Sequence, residues 1–136
     1  MITYTDSTDG VTPDMLSGFF AGWPNPPSRT AHLKLLESSD EVMLALDHET
    51  GQVVAFVTAI SDQILCAFIP LLEVLPAYQG RGVGRELVRR MLGKLHGLYA
   101  IDLICDPKLQ PFYASLGMKP VSGMALRDYA RQSGAG

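Results

Sequence analysis

Between residues 79 and 84 the chain reads Gln-Gly-Arg-Gly-Val-Gly, and what stands on either side gives that stretch its meaning. Before it runs an apolar, strand-like segment that Pro76 ends. After it, Val83, Leu87, Val88, Met91, Leu92 and Leu95 recur at helical spacing, with Arg85, Glu86, Arg89, Arg90 and Lys94 opposite them. Three glycines let the backbone turn with no Cβ in the way, so several N–H groups converge on one point. The helix that starts there aims its unpaired first-turn amides and the positive end of its dipole at the same place. Strand, glycine loop and helix in that order form a cradle for a pyrophosphate, with Arg81 and Arg85 at its rim. Read from the residues alone, the stretch also fits a plain glycine-rich turn before a helix. Two nucleotide folds do not fit. A phosphate-loop NTPase needs Gly-Lys-Ser/Thr, which is missing. A dinucleotide fold places its glycine turn after the first strand and an acid about twenty residues on, whereas three strand-like runs precede this loop and Asp102 falls inside the next strand.

The remaining periodicities supply the frame. Thr12-Pro13-Asp14 reads as a helix start, predicting a helix to about Phe20 after a polar opening. Gly22-Trp23-Pro24-Asn25-Pro26-Pro27-Ser28 is a stiff loop, and Ser28 or Thr30 caps a second helix with Ala31, Leu35 and Leu36 on one stripe. Val42–Leu46, Val53–Ile60 and Ile64–Leu75, separated by short turns, predict an antiparallel meander whose third strand is long. The amphipathic helix then leads to a strand at Tyr99–Cys105, a connection that implies a parallel, right-handed crossover. Asp106-Pro107 opens a further helix with Leu109, Phe112, Tyr113 and Leu116 on one face and Gly117 at its end. A last strand at Gly123–Arg127 precedes a frayed tail at 130–136. The expectation is an α/β protein of α+β type: a mixed central sheet, antiparallel meander then parallel pair, flanked by helices.

At 136 residues and 47% hydrophobic, the chain reads as one compact domain over 1–136 that buries a core without staples. Its longest apolar run, Ile64–Leu72, falls well short of the ~18 residues of a membrane span, and the opening residues lack a basic segment followed by an apolar one. Cytoplasmic residence and no membrane partner are expected. Cys66 and Cys105 have no CxxC or His spacing and read as buried reduced thiols, with no metal site. A net charge of −3 argues against nucleic acid. The charge is divided: residues 1–78 hold two basic against ten acidic residues, net −8, and residues 79–136 hold nine against four, net +5. Such a division suits a cationic and an anionic ligand meeting in one domain, as well as chance clustering on the surface. His32 and His48 read as surface residues.

Val74-Leu75-Pro76-Ala77-Tyr78-Gln79-Gly80-Arg81-Gly82-Val83-Gly84 resembles the acyl-CoA loop of the GNAT superfamily, Gln or Arg, two residues, Gly, any residue, then Gly or Ala. Phe112-Tyr113-Ala114-Ser115-Leu116-Gly117-Met118 is similar to that family's second signature, and the expected order of elements matches along nearly the whole chain. Asp106, Leu109 and Met118 depart from the family's usual Asn, Ala and Phe at that end. The resemblance implies acetyl-CoA as co-substrate. Its diphosphate would lie on Gln79, Gly80, Arg81, Gly82, Val83, Gly84 and Arg85, and its pantetheine arm would run beside Val74 and Leu75 like an extra strand.

It further implies N-acetyl transfer to a primary amine of a small molecule, by direct attack in a ternary complex. The alternatives are a Lys or N-terminal protein acetyltransferase and a non-catalytic acyl-CoA sensor. An alkylamine with a pKa near 10.4 is mostly protonated at pH 7, so a base is needed. Glu73, a lone carboxylate beside the expected thioester, is the candidate base or amine anchor, and also fits an outward-facing strand acid. Tyr113 lies where the family commonly keeps a general acid for the departing thiolate; its helix-face pattern also fits simple packing. The N–H of Leu75 is the expected oxyanion donor. Phe20 and Trp23 fall where relatives cover the acceptor, and Trp23 fits a core plug equally well. Oligomeric state stays open between monomer and homodimer.

Overall fold

The computed structural model describes residues 1–135. Strands β1 (Ile2–Thr5), β2 (Glu41–Asp47) and β3 (Gln52–Ser61) run antiparallel in that order. The far edge of β3 is shared by two short strands, β4 (Cys66–Phe68) and β5 (Leu72–Val74), and β6 (Ala100–Asp102) lies parallel to β4. The mixed α/β architecture is the one expected from the periodicities.

Val53 to Ala59 are all buried because both faces of β3 are covered, which is why this strand reads as a continuous apolar run. Helix α2 (Val83–Lys94) covers one face, setting Val83, Leu87 and Met91 into the cluster that contains Ala45, Ala55, Val57 and Ala59. Helix α1 (Arg29–Ser38) and the segment before it cover the other, where Leu16, Phe20 and Leu36 pack with Leu44, Val53 and Phe56. The Ser28 hydroxyl accepts the Ala31 N–H at 3.0 Å and so starts α1 where the sequence placed it.

The long third strand of the meander is broken. Ile60 pairs with Phe68 but Val57 pairs with Leu72, so the later chain takes one residue more than β3 between those pairs. Pro70 lies in that bulge, where a residue without an N–H fits and a ladder position would not. As a result β4 runs on with β6 while β5 pairs only with β3, and the other edge of β5 is open.

Other expectations are corrected as well. Ile2 and Tyr4 pack on the core, so the supposedly polar opening adds β1 to the sheet. The helix expected up to Phe20 stops after one 3₁₀ turn, Pro13–Leu16, because Gly18 and Phe20 take φ of +93° and +62°, values no right-handed helix contains. The last helix, α3, spans only Gln110–Ala114, confined between Pro111 in its first turn and Gly117. Residues 118–128 form no regular structure, so the strand expected at 123–127 is not made. The tail expected to fray is fastened instead: the Asn25 N–H donates to Gln132 Oε1 at 2.9 Å and its Nδ2 to the Tyr129 carbonyl at 2.8 Å. Gly136, the last residue of that expectation, lies outside the described residues. Cys66 is exposed rather than buried, at the start of an edge strand.

Candidate active site

The glycine loop has the geometry its sequence required. Gly80 and Gly82 have φ of +75° and +80°, and a Cβ at either would meet nothing within 4 Å. Glycine is needed there for the left-handed backbone and not for space. Gly82 is the N-cap of α2, and the first amide bonded within the helix is that of Glu86, to the Gly82 carbonyl at 3.0 Å. The amides of Val83, Gly84 and Arg85 therefore have no helical acceptor and face the loop. Gln79 closes the loop from the other side, its Nε2 donating to the Val74 carbonyl at 3.0 Å.

The arginines divide by role. The Arg81 guanidinium lies 5.2 Å from the centre of the Tyr78 ring, at the loop. Arg85 turns away to donate to the Ser115 hydroxyl at 2.6 Å, tying the first turn of α2 to the end of α3. Arg89 and Arg90 both pair with Glu86.

Gly84 is the junction of the site. A Cβ there would lie 3.3 Å from Val74 Cγ2 and 4.0 Å from Phe112 Cζ, so β5, α2 and α3 meet at this point. The two sequence signatures, 33 residues apart at Gln79 and Phe112, are brought together by that contact.

Along β5 the amides alternate. The Leu75 N–H donates to the Val54 carbonyl at 2.9 Å and the Thr58 N–H to the Leu71 carbonyl at 3.1 Å. Leu71, Glu73 and Leu75 thus bond toward β3, and the N–H groups of Leu72 and Val74 point to the open edge. The expected oxyanion donor, the Leu75 amide, is occupied by the sheet. The free donors are one residue out of phase with it.

Glu73 projects to the α1 side, beside Phe56, its partner across the ladder. Both carboxylate oxygens accept the Phe20 N–H, at 3.0 and 3.1 Å. Partial burial raises its pKa and the Phe20 amide opposes the rise. Phe20 makes that bond from a left-handed backbone unusual for an aromatic residue, so packing must hold it there. It is 3% exposed, with its ring 4.8 Å from both Trp23 and His32. Gly18, two residues earlier, lies against Leu75. Sequence reading missed this brace between the segment at 17–23 and β5; the glycine at 18 was its only local sign.

His32 is a correction. It is 1% exposed among Phe19, Phe20 and Phe56, and desolvation lowers its pKa to about 4, so it is neutral. Its place on the buried stripe of α1, one residue after Ala31, was the signal. His48 lies on the surface beside Thr3.

Tyr113 is held by the end of α3. The Met118 N–H donates to the Tyr113 carbonyl at 3.2 Å and the Gly117 N–H to that of Ala114 at 3.0 Å, with Gly117 at φ +98°. This pair of bonds is a Schellman motif, and it explains the glycine four residues after the tyrosine. The Tyr113 ring is buried, which raises its pKa, and Cys105 adds to the rise. No group among the described residues hydrogen-bonds its hydroxyl.

Beside the Phe20 brace, and lined by neither Glu73 nor Tyr113, lies a cleft of about 620 Å³, within the ordinary range for small-molecule sites. Phe20, Trp23 and Leu71 form its apolar wall, α1 adds Lys34, and the tail adds Arg131 and Gln132. Leu71, just before β5 and still bonded to β3 through the Thr58 N–H, is two residues from Glu73, so the carboxylate faces the same side as this wall. Trp23 both packs on the core and lines the cleft. Among the described residues no group of three or more His, Cys, Asp or Glu could hold a metal ion.

Comparison with known proteins follows the same outline. Residues 9–118 match the family model for the GNAT acetyltransferase family. A candidate acetyltransferase from Deinococcus radiodurans is 45% identical, with a TM-score of 0.94 over 97% of this chain and 92% of that one. GCN5-related N-acetyltransferase 1, chloroplastic, of Arabidopsis thaliana is 30% identical over 82% of this chain. Serotonin N-acetyltransferase 2, chloroplastic, of Oryza sativa subsp. japonica is 32% identical over 88%. The chain spans 58% and 64% of those two plant proteins.

Proposed function

Because the chain belongs to the GNAT acetyltransferase family, we propose that it moves the acetyl group of acetyl-CoA to a primary amine of a small molecule, by direct attack in a ternary complex. One observation carries this reading: the open edge of β5 runs from a half-buried carboxylate to a glycine loop of unpaired amides. Main-chain donors left free along an open strand edge can pair with another extended chain of amides, so such an edge ending in an anion cradle suits an extended, amide-rich, phosphate-bearing ligand. The groups present fit acetyl-CoA, which supplies an activated acyl carbon. In this reading the loop and the first turn of α2 hold the diphosphate, with Arg81 at the rim. The Val74 amide meets the pantetheine arm, and the Leu72 amide, farther from the loop, meets the thioester carbonyl.

Glu73 then removes the ammonium proton. The amine nitrogen forms its bond to the acyl carbon as the carbon–sulfur bond breaks; Tyr113 donates a hydrogen bond to the departing sulfur, and the second proton of the nitrogen passes to that thiolate or to solvent. Cys66 is exposed and its thiol is pushed up chiefly by Asp62, which disfavours a thiolate and a covalent acyl-enzyme route. The size of the cleft and its aromatic wall favour a small amine with an apolar body over a peptide.

A panel of small amines and lysine peptides with acetyl-CoA, read by thiol release, tests the proposal. Small amines are expected to turn over best. Turnover of peptides alone would make the chain a protein acetyltransferase, and coenzyme binding with no turnover would make it a sensor.

Gly82→Val tests the cradle. A β-branched residue in a left-handed position costs about 1–2 kcal/mol, and a loop that relaxes to avoid the cost re-aims its amides. Calorimetry is expected to show a loss of at least about tenfold in coenzyme A affinity, with unchanged far-UV circular dichroism and a Tm lower by roughly 2–8 °C. Unchanged affinity would remove the loop from the binding site.

A further inference from the structure

We propose that the acceptor carries an anionic group, a carboxylate or a phosphate, at the end away from its amine, and that Lys34 of α1 and Arg131 of the tail hold that group in the cleft; the inference rests on the acetyl transfer to a small amine set out above. Two cations line the cleft and, among the described residues, no Asp or Glu does. A cationic amine gains nothing in such a place, whereas the Glu73 carboxylate, on the same side of the sheet, attracts it. Phe20 joins the two: its N–H bonds to Glu73 and its side chain lines the cleft. An acceptor whose apolar body lies along Phe20 and Trp23 therefore sets its amine toward Glu73 and its far end among the cations.

Both cations are available for that end. Among the described residues Lys34 makes no ion pair. The Arg131 Nε lies 3.6 Å from an Asp128 oxygen, longer than a hydrogen bond, so the planar fork can still take an oxyanion through two parallel N–H groups.

Arg131 is also held in place, which a residue near a chain end ordinarily is not. Asn25 grips the tail before and after it, donating from Nδ2 to the Tyr129 carbonyl at 2.8 Å and from its N–H to Gln132 Oε1 at 2.9 Å. The Asp128 carboxylate accepts the Ala130 N–H at 3.0 Å and caps the single 3₁₀ turn, Tyr129–Arg131, that carries the guanidinium. Asn25 stands between Pro24 and Pro26, whose fixed φ angles stiffen the loop. It is not part of the cleft wall, so it acts through Arg131 as a positioning residue.

Acceptors of one shape test the inference on the full chain with acetyl-CoA: phenethylamine, its para-carboxylate and tyramine phosphate. At least one anionic amine is expected to exceed phenethylamine in kcat/KM by about tenfold or more, as charge-assisted hydrogen bonds allow, and the leader of the two tells carboxylate from phosphate. Lys34→Gln, Arg131→Gln and Asn25→Ala should each lower that ratio by about threefold or more, and salt at about 0.5 M should lower it in the parent, effects that a merely structural role would not produce. Calorimetry of the same compounds on the coenzyme A complex separates this inference from the reaction. If no amine is acetylated, the acetyl-transfer reading fails, while tighter binding of an anionic amine to the parent than to Arg131→Gln still supports the assignment of the cleft. A parent that turns over and binds phenethylamine as well as the anionic amines overturns it. So does a preference for them that survives Lys34→Gln and Arg131→Gln combined.

Discussion

Glu73→Gln is expected to lower kcat for the preferred amine by about 10²–10⁴-fold, the range a positioned general base supplies. The substitution keeps the shape and leaves an oxygen to accept the Phe20 N–H, so the brace that positions the segment at 17–23 survives. What it removes is a carboxylate whose pKa burial has raised above the ordinary range. A base works in its deprotonated form, so kcat of the parent should climb with pH through that raised value and then level off. The variant should lack the climb.

Stability gives a second reading with the opposite sign. A carboxyl with a higher pKa folded than unfolded contributes its stability below the unfolded value and loses it as pH rises through the folded one. At pH 8 the Gln variant should therefore melt no lower than the parent. If KM rises while kcat holds, Glu73 anchors the amine and another group takes the proton. A lower Tm together with weakened coenzyme binding would reduce it to a structural brace.

Tyr113→Phe is expected to lower kcat by about 10²-fold or more with little change in KM for either substrate. The ring packs on Phe112, with centroids 4.9 Å apart, and phenylalanine preserves that contact, so loss of stability should be small. The hydroxyl has a particular task. A thiol pKa near 8.5 means that a departing thiolate is already a fair leaving group, and a phenol near 10 gives up its proton to it at a cost of about 2 kcal/mol. Burial raises the phenol further and steepens that cost. In the proposed mechanism Tyr113 would therefore act by donating a hydrogen bond that strengthens as charge grows on sulfur, keeping its own proton. Accordingly, kcat of the parent should show no alkaline decline below about pH 10, because the acid never titrates there. A decline near pH 8, or a Phe variant with full activity, would exclude Tyr113 from the chemistry.

Much of this was readable along the chain, for a definite reason. The glycines at 80, 82 and 117 stand where a left-handed backbone is required, and such requirements leave local marks. The apolar stripe of α2 and the near-continuous run of β3 report their burial in the same local way. What went unread depends on contacts distant in sequence. The amide of Phe20 meets a carboxylate 53 residues away, Asn25 fastens a tail more than a hundred residues away, and His32 loses its solvation to rings from two other segments. The Leu75 amide bonds to the sheet and not outward because its partner depends on register, and the one-residue bulge at Pro70 sets that register.

Local pattern alone marked the glycine turn before α2, a lone strand carboxylate and a tyrosine ahead of a helix-ending glycine, because backbone conformation and side-chain chemistry are properties of single residues and short spacings. Which amides face the open edge, where Glu73 points and what lines the cleft follow from the packed fold. Those depend on how strands pair and helices pack, and the free energy of such contacts belongs to pairs of residues that no local pattern joins.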